Sequence, residues 1–153
     1  MSPTYGYSIT GLDKDKSAIA SVRDARATPK KTREVCHAIK GRNLQKAKDY
    51  LERVLEFKEP VPFKRHKGHQ AHRRGKGYGP GRYPIKSAKV VLALLKDVEN
   101  NAEYKGLDID KCRIIHAAVN KGRVYKKFIP RAFGRSSPYY STRSHIEIAI
   151  VEE

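Results

Sequence analysis

Residues 112–152 read CRIIHAAVNKGRVYKKFIPRAFGRSSPYYSTRSHIEIAIVE. Both ends alternate as strands do. Cys112, Ile114, His116 and Ala118 fall on one face of the first run, and Arg113, Ile115, Ala117 and Val119 on the other. Ile146, Ile148 and Ile150 share a face of the second. Paired antiparallel and covered by helices, the two runs predict an α+β domain in which three helices pack on a small antiparallel sheet. An ordinary hairpin connection needs about two to five residues, whereas residues 120–144 intervene here. If 120–132 and 138–150 stay extended and paired, each arm leaves the core for ~40 Å at about 3.3 Å per residue. The reading is a long protruding β-hairpin.

That hairpin carries Lys121, Arg123, Lys126, Lys127, Arg131, Arg135 and Arg143, with Tyr125, Phe128, Phe133, Tyr139 and Tyr140 among them. From Lys111 to Ile146 there is no acidic residue. An isolated two-stranded ribbon is marginal in water, and one that repels itself is worse, so its stability must come from what it enters. Basic side chains neutralise phosphates while aromatic rings stack on unpaired bases, a combination suited to structured RNA. Gly134 reads as the bend at the tip. The plainer alternative is a disordered basic loop.

The whole chain supports an anionic partner. Its 153 residues suit one domain, and 33 lysines and arginines against 16 acids leave a net charge of +17, beyond what solubility asks for. Nucleic acid, an anionic membrane and acidic proteins are the candidates. No apolar run approaches the ~20 residues of a spanning helix, and MSPTYGYS has neither the charged nor the apolar region of a signal peptide. A protein that stays in the reducing cytosol is expected, with Cys36 and Cys112 too isolated for a zinc site or a disulfide framework.

Toward the N-terminus, YGYSI (5–9) reads as the extra strand of the sheet. TPKKTREVCHAIKG (28–41) is a helix with Thr28 at the N-cap, Pro29 in the first turn and Gly41 beyond the end. Val35, Cys36 and Ile39 form its buried side. Lys30, Arg33, His37 and Lys40 form a basic stripe on another side, read as phosphate contacts rather than as a merely solvated face. A second helix follows in NLQKAKDYLERVLEF (43–57), capped by Asn43 and buried through Leu44, Ala47, Leu51, Val54 and Leu55. The third, from Pro84 to about Tyr104, is the most apolar and therefore central, through Ile85, Ala88, Val91, Leu92, Leu95 and Val98.

Between the second and third helices lies FKRHKGHQAHRRGKGYGPGRY (63–83), with five glycines and no acid. Its Lys64, Arg65, Lys67, Arg73, Arg74, Lys76 and Arg82 predict an insert that is mobile alone and orders on RNA. His66, His69 and His72 recur every three residues, but no cysteine or carboxylate joins them, so base stacking or phosphate contact is favoured over a metal. Asp108 and Asp110 read as a polar turn rather than a magnesium site. Cys36 and His37 point about 100° apart on a helix and make no catalytic pair. No metal, cofactor or catalytic residue is predicted, and the chain does not read as an enzyme.

The motifs TPKKTREVCHAIKGRNLQKAKDYLERV, GRYPIKSAKVVLALLKDVENNAEYKGLDIDK and PRAFGRSSPYYSTRSHIEIAIVEE resemble successive blocks of the large-subunit ribosomal protein twenty-two family, from about residue 20 to the C-terminus. The basic insert before GRYP, NAEYKGLD and HIEI resemble its archaeal and eukaryotic branch. The resemblance implies a small α+β domain on the outside of the large subunit, neighbouring other large-subunit ribosomal proteins, with its hairpin threaded through large-subunit rRNA. It also implies that the tip, Arg131, Ala132, Phe133, Gly134 and Arg135, lines the nascent-polypeptide exit tunnel. Pro29, Lys30 and Lys31 match the family's basic helix opening, which contacts RNA.

The expected function is thus a structural constituent of the large subunit. The alternative is a free-standing basic nucleic-acid packaging protein, which explains the charge but not an aromatic-tipped ribbon. An RNA-processing enzyme lacks a convincing set of acids, bases or metal ligands.

Overall fold

The computed structural model describes residues 6–75 and 77–152; Tyr5 of the predicted first strand and Lys76 of the predicted RNA-binding set lie outside the described residues. The sheet has the order β1 (Ser17–Ala25), β7 (Ser141–Glu152), β4 (Cys112–Tyr125), all antiparallel. Helices α1 (Pro29–Ile39), α2 (Leu44–Leu55) and α3 (Ile85–Tyr104) cover one face. Ile146, Ile148 and Ile150 of the central strand are fully buried there against Val35, Ile39, Leu51, Val91, Leu95 and Val98. The α+β architecture and all three helices are as predicted.

The third strand is not. Residues 6–10 form no strand, and β1 lies further along, in SAIASVRDA. Ala18, Ala20 and Val22 stand opposite Ile150, Ile148 and Ile146, so small side chains on the edge strand face large ones on its neighbour where α3 packs down. Alanine and serine carry little intrinsic strand preference, whereas the tyrosines of YGYSI carry much. Pairing with β7 overrides both.

Strand β4 also departs from the predicted assignment of faces. Ile114 pairs with Ile150 but His116 pairs with Ala149, so Ile115 is the extra residue of a bulge. The slip exchanges the faces beyond it. Cys112 and Ile114 point into the core, and after the bulge Ala117 and Val119 pack against it, while His116 and Ala118 move to the outer face. There Ser8 donates from its N–H (2.8 Å) and its hydroxyl (2.7 Å) to buried Glu147. His116 Nε2 lies 3.0 Å from the same hydroxyl and Arg23 lies 3.5 Å from the carboxylate. Burial alone would raise the Glu147 carboxyl, but Ser8 and Arg23 hold it below its ordinary value. Burial, with Lys40 nearby, lowers the His116 imidazole.

At the helix starts, Asn43 caps α2 by accepting from the Gln45 N–H at 3.0 Å. Thr28 occupies the predicted cap position with extended backbone but makes no side-chain cap bond. Instead the Thr32 hydroxyl, buried, bonds Ser87 at 3.0 Å and joins the first turns of α1 and α3.

Candidate nucleic-acid interface

The hairpin leaves the body through a crowded root. A β-bulge between Lys121 and Val124 sets Gly122 against the end of β1, where Asp24 adopts a left-handed backbone (φ 49°). The Asp24 N–H donates to His145 Nδ1 (3.1 Å), and its carboxylate accepts from the Arg123 N–H (3.4 Å). A Cβ on Gly122 would sit 3.0 Å from Asp24 Oδ1 and 3.2 Å from His145 Nε2, so glycine permits this close approach.

Beyond the root, pairing continues to Tyr125 opposite Ser141 and resumes between β5 (Phe128–Pro130) and β6 (Ser136–Pro138). At the join the Tyr139 N–H donates to Lys127 O, and Phe128 meets Tyr140 edge-on at 6.1 Å. The predicted ribbon is therefore present, with one break at 126–127 and 139–140. Pro130 and Pro138 each remove a donor from its edges, which discourages pairing with other chains.

The tip is a tight turn over residues 131–135. The Arg131 N–H donates to Arg135 O at 2.8 Å and the Arg131 guanidinium to Ser137 Oγ at 3.3 Å. Both Phe133 (φ 58°) and Gly134 (φ 65°) are left-handed, so the bend is shared rather than made by glycine alone. Phe133 is 97% exposed.

At the base of the hairpin a groove of about 1080 Å³ opens between three walls. The first turn of α1 brings Lys30 and Lys31, that of α3 brings Lys86, and the hairpin brings Lys121, Lys127, Tyr139 and Tyr140. None of the lining residues is acidic. Both helices point their amino ends, with no acid in either first turn, toward it; partial positive charge at such ends favours anions. Four predicted RNA contacts, from two segments far apart in sequence, are thus gathered into one basic concavity. Arg26, Tyr83, Lys86, Tyr139 and Tyr140 also line it and were not among the predicted contacts. Lys86 lies on a helix that was read only for its apolar face, and Tyr139 and Tyr140 were read only as hairpin aromatics.

Arg33, His37 and Lys40 are exposed on α1 outside the groove, and Arg123 and Lys126 are exposed on the hairpin. Arg143 lies over the Tyr125 ring at 5.1 Å, so part of its role is within the hairpin.

The insert has a built root. Short strands β2 (Val61–Pro62) and β3 (Gly81–Arg82) pair, and His72 bridges Pro80. Buried Glu34 of α1 accepts from the backbone N–H groups of Lys64 (2.9 Å), Arg65 (3.2 Å) and His66 (3.0 Å). Such a run of N–H groups around one anion is a nest. The acid missing from the insert's own sequence is supplied by a helix about thirty residues upstream. Among the predicted contacts, Arg73 donates to Gly81 O (3.1 Å) and lies over Tyr83 (5.4 Å), and Arg82 reaches His69 O (3.4 Å). Lys64, Arg65, Lys67 and Arg74 are exposed.

Among the described residues no three histidines, cysteines or acids gather as a metal site, and no helix is long and apolar enough to cross a membrane. Cys36 is buried, and burial pushes its thiol up to about 12, the reverse of an activated nucleophile.

A small α+β body with an acid-free basic arm and a lysine-lined groove has the build of a polyanion-binding structural protein. Residues 20–151 match the family described as ribosomal protein L22p/L17e, and the chain belongs to that family. It is 48% identical to the large ribosomal subunit protein uL22 of Hyperthermus butylicus, over 99% of both chains. It is 47% identical to that of Ignicoccus hospitalis, over 99% of this chain and 98% of the relative, and 46% identical to that of Methanopyrus kandleri, over 92% and 90%.

Proposed function

We propose that the protein binds and organises large-subunit rRNA and lines the nascent-polypeptide exit tunnel with residues 131–135. As a family member it is a cytoplasmic, structural constituent of the large ribosomal subunit rather than an enzyme. The observation that carries the finer reading is the acid-free hairpin, whose root is locked by Asp24, Gly122 and His145 while its exposed arms have nothing of their own to pack on. Such an arm is stabilised by entering RNA, and its tip presents Phe133 to the outside. Neighbouring ribosomal proteins and the nascent chain are the remaining partners on this reading.

Crosslinking in assembled large subunits tests it. Lys121, Arg123, Lys126 and Lys127, and the insert residues 63–83, should crosslink to rRNA, and probes at Phe133 should crosslink to a stalled nascent chain. Binding of the free chain to large-subunit rRNA should weaken steeply with salt. A hairpin that crosslinks to neither RNA nor nascent chain in intact subunits would overturn the assignment. Deleting 128–138 should disturb subunit assembly or tunnel behaviour while leaving bulk RNA affinity nearly intact; equal packaging of duplex DNA would instead favour the packaging alternative.

A further inference from the structure

We propose that the groove between the first turns of α1 and α3 and the hairpin base seats a short unpaired stretch of RNA, its phosphates on the lysines and a base on Tyr139 or Tyr140. The proposal rests on the rRNA-binding reading and specifies the form of RNA that this site takes. Lys30 and Lys86 come from the helices and Lys121 and Lys127 from the hairpin, so cationic groups stand on more than one wall. The tyrosine rings are 61% and 52% exposed, leaving surface for stacking.

A duplex hides its base faces in its own stack and could offer this groove only phosphates. An unpaired strand offers both phosphates and π-faces, which is the combination the lining matches. The volume of about 1080 Å³ lies just above the roughly 300–1,000 Å³ of small-ligand sites, so there is room for more than a lone phosphate. The two helix walls are also tied to each other and to the strand at the hairpin root. The Thr32–Ser87 bond (3.0 Å) couples the two helices, and the Ser144 hydroxyl donates to Ala27 O (3.1 Å), tying the strand below Tyr139 and Tyr140 to the segment leading into α1. Such ties reduce the freedom that is lost when the groove is filled.

The test uses the full chain, a labelled single-stranded hexanucleotide RNA and an RNA duplex of the same charge, titrated over a range of salt. The double variant Tyr139→Ala/Tyr140→Ala should weaken single-strand binding about tenfold or more, leave duplex binding within about twofold, and keep the salt slope. Phenylalanine at both positions should restore single-strand binding, which separates stacking from loss of fold. Lys86→Gln should make the single-strand salt slope shallower by about 0.7. Equal losses on single strand and duplex, or no loss from the double alanine variant, would overturn the proposal. Salt-sensitive binding of the unaltered chain to large-subunit rRNA is the control: if it holds while the tyrosine result fails, only the groove assignment falls. If it too is absent, the rRNA-binding reading fails with it.

Discussion

Replacing Glu34 tests whether the insert root is built by the body of the protein or only by its partner. The carboxylate, 2% exposed, accepts three backbone N–H groups at 2.9–3.2 Å. Hydrogen bonds to a charged group contribute about 1.5–3 kcal/mol each, so three left empty in place would cost about 5–9 kcal/mol. That sum is a ceiling, because Lys64 and Arg65 are exposed and water can reach their N–H groups once the root lifts away. Glu34→Ala should therefore cost about 2–4 kcal/mol, and Glu34→Gln, which keeps the volume and one acceptor oxygen, about 1–2 kcal/mol. For a chain of this size 1 kcal/mol moves Tm by roughly 2–4 °C. Urea unfolding gives the energies, and limited trypsin digestion localises the change. Cleavage at Lys64, Arg65 and Lys67 should appear in the alanine variant under conditions where its core remains folded. A variant within about 0.5 kcal/mol of the parent, with an unchanged digestion pattern, would refute the nest as the insert's anchor.

Further outcomes follow from the hairpin root, the tip, the outer face and the core. Gly122→Ala forces a methyl to 3.0 Å from Asp24 Oδ1 and should cost about 1–3 kcal/mol, read as a lowered urea midpoint and as faster hydrogen exchange at the Arg123 and Asp24 amides. Phe133→Ala should leave the stability read from urea unfolding within about 0.5 kcal/mol of the parent, because the ring is 97% exposed. Acidification should destabilise the fold in two windows. The His116 imidazole is depressed below its ordinary 6.5, so its contribution is full above about pH 6.5 and is lost as pH falls through the folded value; His116→Asn should flatten that part of the profile. Glu147, also depressed, loses its contribution as pH falls below its ordinary 4.5 toward its folded value. The buried Cys36 thiol, raised to about 12, should be alkylated at pH 8 only at the rate of unfolding.

Much of the candidate interface's placement was legible because charge and periodicity are local properties. The ribbon was visible in two alternating runs separated by an acid-free stretch, and the tip lies where its residues were expected, at 131–135. The exposed stripe of α1 followed from helical spacing. Less visible was the division of labour among cations: Arg73 and Arg143 each lie over a tyrosine ring, and nothing adjacent in sequence marks those pairings. The insert's own residues contain no anion, and nothing local in the sequence marks Glu34 of α1 as the carboxylate its root bonds.

By itself the sequence determined the α+β class, the three helices, the long arm and its unbalanced positive charge, since each follows from residue type and spacing along a single segment. Tertiary structure decided what depends on pairing between distant segments. It placed the third strand at Ser17–Ala25, because packing beside β7 outweighs intrinsic strand preference. It also turned His116 outward, because one bulged residue exchanges the faces of everything beyond it. Finally, it brought Lys30, Lys86, Lys121 and Tyr139 around one groove, a juxtaposition created by the closing of two helices and a hairpin.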